Sequence, residues 1–371
     1  MKNNILPIAI YLPQFHPIPE NDEWWGKGFT EWTNVTKAQP RFKGHYQPHF
    51  PTDLGFYDLR LEEARLEQEG LAKEYGIYGF CYYHYWFNGK RMLHEPVDRK
   101  LKNPKEDLPF MLCWANENWT RAWDGEEKQI LIKQEYNEAN DIEHFEFLCD
   151  NFFKDPRYIK HEGKPVFLVY RPKLLPNIKK TVASWRRIAI DKGIGEVHLG
   201  YMQSWGVTDS PESMGFDFAV EFTPNLGFKE KQKATFALKV RNKIKYELNI
   251  KDKVKKEQPT KDVDRIIDYE KYVDAKMNVA FKENVSPGIT PMWDNSARRK
   301  TNAVIFKNAT PQKYGQWLKH IISKYPWNKN KEKFLFINAW NEWAEGNHLE
   351  PCQKWGRSYL EETKKAIDHE Q

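Results

Sequence analysis

Phe334-Leu-Phe-Ile-Asn-Ala-Trp-Asn-Glu-Trp-Ala-Glu-Gly346 begins as a short apolar run and then turns into tryptophans, asparagine and glutamates. Near-continuous apolarity from Phe334 to Ala339 is what a strand covered on both faces looks like, whereas a half-exposed strand alternates. A buried strand that ends in polar and aromatic residues fits a parallel α/β sheet, where the loops at the carboxyl ends of the strands carry the chemistry.

Seven further runs rich in β-branched or aromatic residues share this character: Ile5 to Leu12, Ile77 to Tyr83, Pro109 to Trp114, Pro165 to Tyr170, Val197 to Met202, Phe216 to Phe222 and Ile289 to Trp293. Between them lie helix-patterned segments, clearest at Leu59 to Tyr75, Ala139 to Phe153, Leu174 to Lys192 and Gln312 to Lys324. Alternation of strand and helix implies parallel pairing with right-handed crossovers. Eight such units in 371 residues predict an α/β fold, a (β/α)₈ TIM barrel with long loops on its catalytic face. A doubly wound sheet would want a glycine-rich phosphate loop after its first strand, and Leu12-Pro-Gln-Phe-His-Pro17 is not one. We expect one catalytic domain over residues 1–371, interrupted by a Lys-rich insertion at about 224–287.

The strand ends indicate the ligand. Strand 1 ends in Tyr11 and Gln14, and the long connection after it carries Trp32. Strand 2 ends in Tyr83 and His84, strand 3 in Trp114, Asn116 and Glu117, strand 5 in Trp205 and strand 6 in Glu221. Strand 7 leads into Trp293 and Asp294, and strand 8 into Trp340, Asn341, Glu342, Trp343 and Glu345. Sugars offer C–H faces that pack on aromatic rings and hydroxyls that need paired donors and acceptors, so this mixture suits a carbohydrate. Each aromatic taken singly is more often packing than binding; the reading rests on their coincidence with predicted strand ends.

Glycoside cleavage uses two carboxyl groups, one protonated to assist the leaving group and one ionised. Glu342 and Glu345 are the expected catalytic pair, three residues apart and flanked by Trp340 and Trp343, whose apolar surroundings raise a carboxyl pKa. The same spacing also occurs in helix caps. Glu117 with Glu221 is the runner-up pair. Among His16, His45, His84 and His348 there is no HxxxH or HxH spacing, so no metal and no cofactor is expected. Neither GxSxG nor a phosphate-binding P-loop occurs.

Composition agrees with a soluble globular chain, 40% hydrophobic and 30% charged. No stretch approaches the roughly 20 apolar residues that span a bilayer. Ile5 to Leu12 reads as a strand rather than a leader, and Cys81, Cys113, Cys149 and Cys352 lack metal or disulfide spacing, so a cytoplasmic location with reduced thiols is expected. Lys229 to Lys261 holds 12 Lys/Arg against 4 Asp/Glu, more than the net +6 of the whole chain. Such a segment can touch an anionic surface, the inner membrane or a lipid-linked glycan, or form a solvated helical face. Nucleic acid is not expected, and the sequence does not set an oligomeric state.

Asn338-Ala-Trp-Asn-Glu-Trp-Ala-Glu-Gly-Asn-His-Leu-Glu-Pro351 resembles glycoside hydrolase family 99 and its bacterial WbsX-like relatives of polysaccharide biosynthesis. Ala9-Ile-Tyr-Leu-Pro-Gln-Phe-His16, Trp25-Gly-Lys-Gly-Phe-Thr-Glu-Trp-Thr-Asn34, Tyr82-Tyr-His-Tyr-Trp86 and Trp114-Ala-Asn-Glu-Asn-Trp119 are similar to that family as well, so the resemblance covers nearly the whole chain. It implies a metal-independent TIM-barrel enzyme that acts on α-linked mannose and retains configuration through the sugar's own 2-hydroxyl and a 1,2-anhydro sugar. In that scheme Glu342 is the base toward O2, Glu345 the acid and then the base, and Glu350 a sugar ligand. A glycosyltransferase or transglycosylase of O-antigen or capsule assembly is the alternative, although no DxD-type nucleotide-sugar site stands out. A glycan-binding protein without turnover is the third reading.

Overall fold

The computed structural model describes residues 5–121, 126–224, 263–328 and 333–368. Eight parallel strands form the centre: β1 (Leu6–Tyr11), β2 (Gly79–Phe87), β3 (Phe110–Trp114), β4 (Lys164–Val169), β5 (His198–Met202), β6 (Phe218–Val220), β7 (Val285–Ser286 with Gly288–Ile289) and β8 (Phe334–Ile337). Each is followed by a helix: α1 (Glu62–Glu74), α2 (Glu95–Lys102), α3 (Glu138–Asn151), α4 (Ile178–Asp191), α5 (Pro211–Met214), α6 (Tyr269–Met277), α7 (Pro311–Lys324) and α8 (Ser358–Asp368). The expected (β/α)₈ barrel is therefore present.

Closure depends on Pro287. β1 pairs with β2 and β8, and pairing continues round through β6 to Val285–Ser286, while Gly288–Ile289 pairs with β8. A proline has no N–H for the ladder, so β7 splits into two short halves at this residue. The Pro287 carbonyl still accepts from the Phe336 amide at 2.9 Å. Gly288 is required here because a Cβ would fall 1.8 Å from the Glu221 carbonyl oxygen.

This corrects the expectation for strand 7, which starts four residues before the predicted Ile289 and ends there. Pro-Gly in sequence suggests a turn, but here it is the strand itself. Trp293 and Asp294 consequently lie in the loop beyond the strand. Residues 263–287 also do more than interrupt the barrel: Arg265–Asp268 pairs in parallel with Val304–Lys307 and leads into α6. Lys229 to Lys261 lies outside the described residues.

The strand residues are apolar on both faces because side chains of the barrel interior and of the surrounding helices cover them. Met111, Leu112, Val166 to Val169 and Phe218 to Val220 are fully buried. Side-chain caps start several helices where the pattern places them, with Asn137 accepting from the Asn140 amide at 3.0 Å and Thr310 from the Lys313 amide at 3.3 Å. Among the described residues no helix is long and apolar enough to cross a membrane.

Candidate active site

β8 delivers the chain to a miniature hairpin in which Asn341–Glu342 pairs antiparallel with Asn347–His348. A 3₁₀ turn, Trp343–Glu345, joins the arms, and Gly346 follows in a left-handed conformation (φ +51°). A side chain at Gly346 would press on Asp294, with Cβ 2.9 Å from the Asp294 Cβ. Three ties fix the hairpin. The Asn341 side chain accepts from the Leu12 amide at 2.8 Å and donates to the Leu12 carbonyl at 3.0 Å. The Trp343 indole donates to Glu350 at 2.6 Å while its ring stacks on His348, centroids 3.8 Å apart. The Asp294 amide donates to the Glu345 carbonyl at 2.6 Å. Asn341 and Trp343 thus aim the two glutamates and do not themselves face the cleft.

Glu342 and Glu345 open onto a cavity of about 670 Å³ whose aromatic walls are Tyr83, Tyr85, Trp119, Tyr170, Trp205, Phe222 and Trp293. Strand parity sorts the β2 residues: side chains two apart share a face, so Tyr83 and Tyr85 point in. His84 and Trp86 point to α3, where His84 meets His144 at 3.0 Å and Trp86 stacks on the same ring. Burial and the neighbouring Glu342 carboxylate raise the pKa of both tyrosines, so their phenols stay neutral donors.

Arg298, also on the cavity wall, joins the carboxylates. It pairs with Glu345 at 2.7 Å, with Glu342 at 3.4 Å and with the fully buried Glu31 at 2.5 Å. Burial opposes charge on the guanidinium, but the three carboxylates hold its pKa above the ordinary value. Burial raises the Glu342 pKa well above the carboxylate range, Glu345 and Glu31 add to this, and Arg298 opposes it. Glu31 is shifted up by burial too. A buried set richer in carboxylates than in guanidinium favours retained protons.

Of the expected site residues, Tyr83, Glu117, Trp205, Trp293, Glu342 and Glu345 line this cavity. The others lie behind it. Tyr11 donates to Gln68 at 2.7 Å, Trp32 donates to the Tyr57 carbonyl at 2.9 Å and Trp114 packs on His144 and Trp185. Gln14 and Trp340 are buried. Asn116 ties the end of β3 to the end of β4 through the Arg171 backbone, at 2.7 and 2.9 Å. Asp294 accepts from Gln47 at 2.7 Å and meets His45 at 2.6 Å. The runner-up glutamates are both ion-paired, Glu117 with Arg171 and Glu221 with Lys276, and Glu221 is not on the wall. His45-Tyr-Gln-Pro-His49 does have the HxxxH spacing, but the rings diverge: His45 goes to Asp294 and His49 to His348, at 2.9 Å. Arg298 and Glu31 were not anticipated. The only available signals were Arg298-Arg-Lys300 after strand 7 and the place of Glu31 inside the Trp25 to Asn34 motif.

Glu350 is buried beneath the hairpin rather than in the cleft. It accepts from Tyr57 at 2.8 Å, Gln68 at 2.7 Å and the Trp343 indole, yet burial lifts its pKa to about 7. A carboxyl whose folded pKa exceeds its unfolded one contributes stability that is complete below the unfolded pKa and lost as pH rises through the folded one. Between pH of about 4.5 and 7 this amounts to about 3 kcal/mol. We predict that Glu350→Gln flattens the decline in urea stability between pH 5 and pH 8; an unchanged slope would show that Glu350 does not titrate there.

Fold and cleft together define a TIM barrel with an aromatic-walled, carboxylate-bearing cavity at the carboxyl end of its last strand. By fold, the chain is similar to a glycoside hydrolase-like protein (TM-score 0.59, 14% identity, covering 99% of this chain and 95% of the other). It is also similar to the GH99 endo-alpha-mannosidase from Bacteroides thetaiotaomicron, seen in two structures (TM-scores 0.53 and 0.52, both 14% identical, each covering 98% of this chain and 96 and 97% of the others). Residues 7–363 match the family described as Glycosyltransferase WbsX, and the chain belongs to that family. In sequence it is 41% identical to the uncharacterized protein WxcX of two strains of Xanthomonas campestris pv. campestris, over 97% of its own length. The chain spans 49% of those relatives.

Proposed function

We propose that this chain is a retaining glycoside hydrolase acting on α-linked mannose, or a related sugar, of bacterial polysaccharide. The observation that carries this reading is the placement of Glu342 and Glu345 side by side on an aromatic-walled cavity at the end of β8, bridged by Arg298. The stepwise chemistry keeps a proton count of one on the pair. Glu342, the more buried carboxyl, takes the proton from O2 as O2 attacks the anomeric carbon. Glu345, the more accessible, gives its proton to the departing glycosidic oxygen, closing a 1,2-anhydro sugar. Water then opens that ring, losing its proton to Glu345 as Glu342 returns one to O2.

The family's description favours a second reading, in which a sugar hydroxyl intercepts the intermediate and the chain is a transglycosylase or a glycosyltransferase of O-antigen or capsule assembly. Product analysis on α-mannan and O-antigen oligosaccharides, with and without sugar-nucleotide donors, separates the two. Cleavage without donor supports hydrolysis, whereas chain extension only with donor overturns it.

Trp205 has the features of a sugar platform. Its ring is 72% exposed at the cavity rim, backed by the Arg171 guanidinium at 4.8 Å. Its backbone sits at φ +53°, a conformation costly for a non-glycine residue and retained where function uses it. Trp205→Ala is expected to raise KM about tenfold, in line with aromatic stacking energies, with kcat and thermal midpoint little changed. A fall in kcat alone would count against a platform.

A further inference from the structure

A second cavity, of about 760 Å³, lies behind Trp293, which lines both, and Gly346, the neighbour of Glu345, forms part of its wall. Its chemistry differs from that of the first. Lys43, Lys307 and Lys354 line it, and none has a carboxylate of a described residue within ion-pairing distance. Facing them is Glu270; the Asp294 carboxylate in the same wall is already engaged by His45 and Gln47. Lys354 stands over the rings of Tyr46 and Trp355, at 4.8 and 4.7 Å, where partial burial lowers its pKa. With no carboxylate of a described residue paired to these three lysines, an anion in the cavity would supply the missing counter-charge.

Two further features narrow the anion. Ala309 and Thr310 line the cavity immediately ahead of the 14-residue α7, whose amino end carries the positive pole of its dipole. No arginine lines it. Planar carboxylates are best matched by an arginine fork, whereas lysine ammoniums act as point charges that surround a tetrahedral phosphoryl group from several directions. The volume exceeds that of phosphate alone, and Phe42, Phe306 and Trp355 supply faces for an attached ring.

We propose that this second cavity binds a phosphorylated sugar, its phosphoryl group held by Lys43, Lys307 and Lys354 and its ring by the aromatic wall. The proposal extends beyond the hydrolase reading and is independent of it, since binding needs neither Glu342 nor Glu345. The phosphoryl group can be a monoester or part of a pyrophosphate link to a carrier.

Titration calorimetry on the full chain tests this with mannose 1-phosphate, mannose and inorganic pyrophosphate, at fixed ionic strength. Mannose 1-phosphate is expected to bind with Kd below about 1 mM and at least about tenfold more tightly than mannose. Tighter binding of pyrophosphate would identify a pyrophosphate-linked sugar, and weaker binding a monoester. The Lys43→Gln/Lys307→Gln/Lys354→Gln variant, altered only at exposed side chains, should keep its thermal midpoint and lose at least about tenfold in affinity. Glu345→Gln should bind as the wild type does, so loss of hydrolysis leaves this result untouched. Equal affinity in the triple variant, equal binding of mannose, or no binding of either phosphate would overturn the proposal.

Discussion

Glu345→Gln is expected to lower cleavage of an α-mannan oligosaccharide by about 10²–10⁴-fold, the range for removal of a general acid–base group, with the fold intact. The loss should depend on the leaving group. In the proposed mechanism an alkoxide departing from a natural glycan needs a proton from Glu345; a nitrophenolate departs without one. Glu345→Gln should therefore retain formation of the intermediate from a nitrophenyl α-mannoside, while Glu342→Gln, which cannot take the O2 proton, should lose both substrates by a similar factor. Circular dichroism would show both variants folded, because glutamine keeps the size of each side chain. Retention of the nitrophenyl reaction by Glu342→Gln instead would exchange the two roles, and wild-type turnover in either variant would remove the pair from the mechanism.

Arg298→Met should produce the largest loss of stability. It leaves Glu31, Glu342 and Glu345 without their shared guanidinium, and removing one member of a buried ionic set costs about 3–5 kcal/mol. The sign of the pH dependence follows from the direction of the shifts. Without Arg298 the folded-state pKa values of Glu31 and Glu342, already raised by burial, rise further above their unfolded values, so their contribution is complete at low pH and lost as pH increases. The variant should be closer to wild type at pH 5 than at pH 8 in urea denaturation. A loss of the same size at both pH values would mean that Arg298 acts by packing rather than charge.

The barrel, and the position of Glu342 and Glu345 beyond its last strand, could be read from local pattern because each depends on short segments. Phe334 to Ile337 had to be a strand, and the residues after it had to reach the open end of the barrel. Pattern could not show what long-range contacts decide. Glu31 and Arg298 are 267 residues apart, and neither has a neighbour in sequence that reveals the other. His84 and Trp114 were misplaced for a different reason: every residue near a strand end was treated as facing the cleft, although alternate side chains face the helices. The family resemblance implies Glu350 as a sugar ligand, but the hairpin turns it under the floor, against Tyr57 and Gln68. For strand 7, a proline and a glycine normally end a strand, and only the neighbouring Glu221 carbonyl shows why the glycine belongs there.

The Arg298 bridge ties together three loops from remote parts of the chain: the first long connection through Glu31, the loop after β7, and the hairpin after β8. On most barrels the catalytic-face loops can be exchanged one at a time, which is how one scaffold acquires many specificities. In this protein those three form a single inheritable block. A graft or recombination that replaces one without the others strands a buried charge, so diversification of this cleft is channelled to the loops after β4 and β5, where Trp205 stands free at the rim.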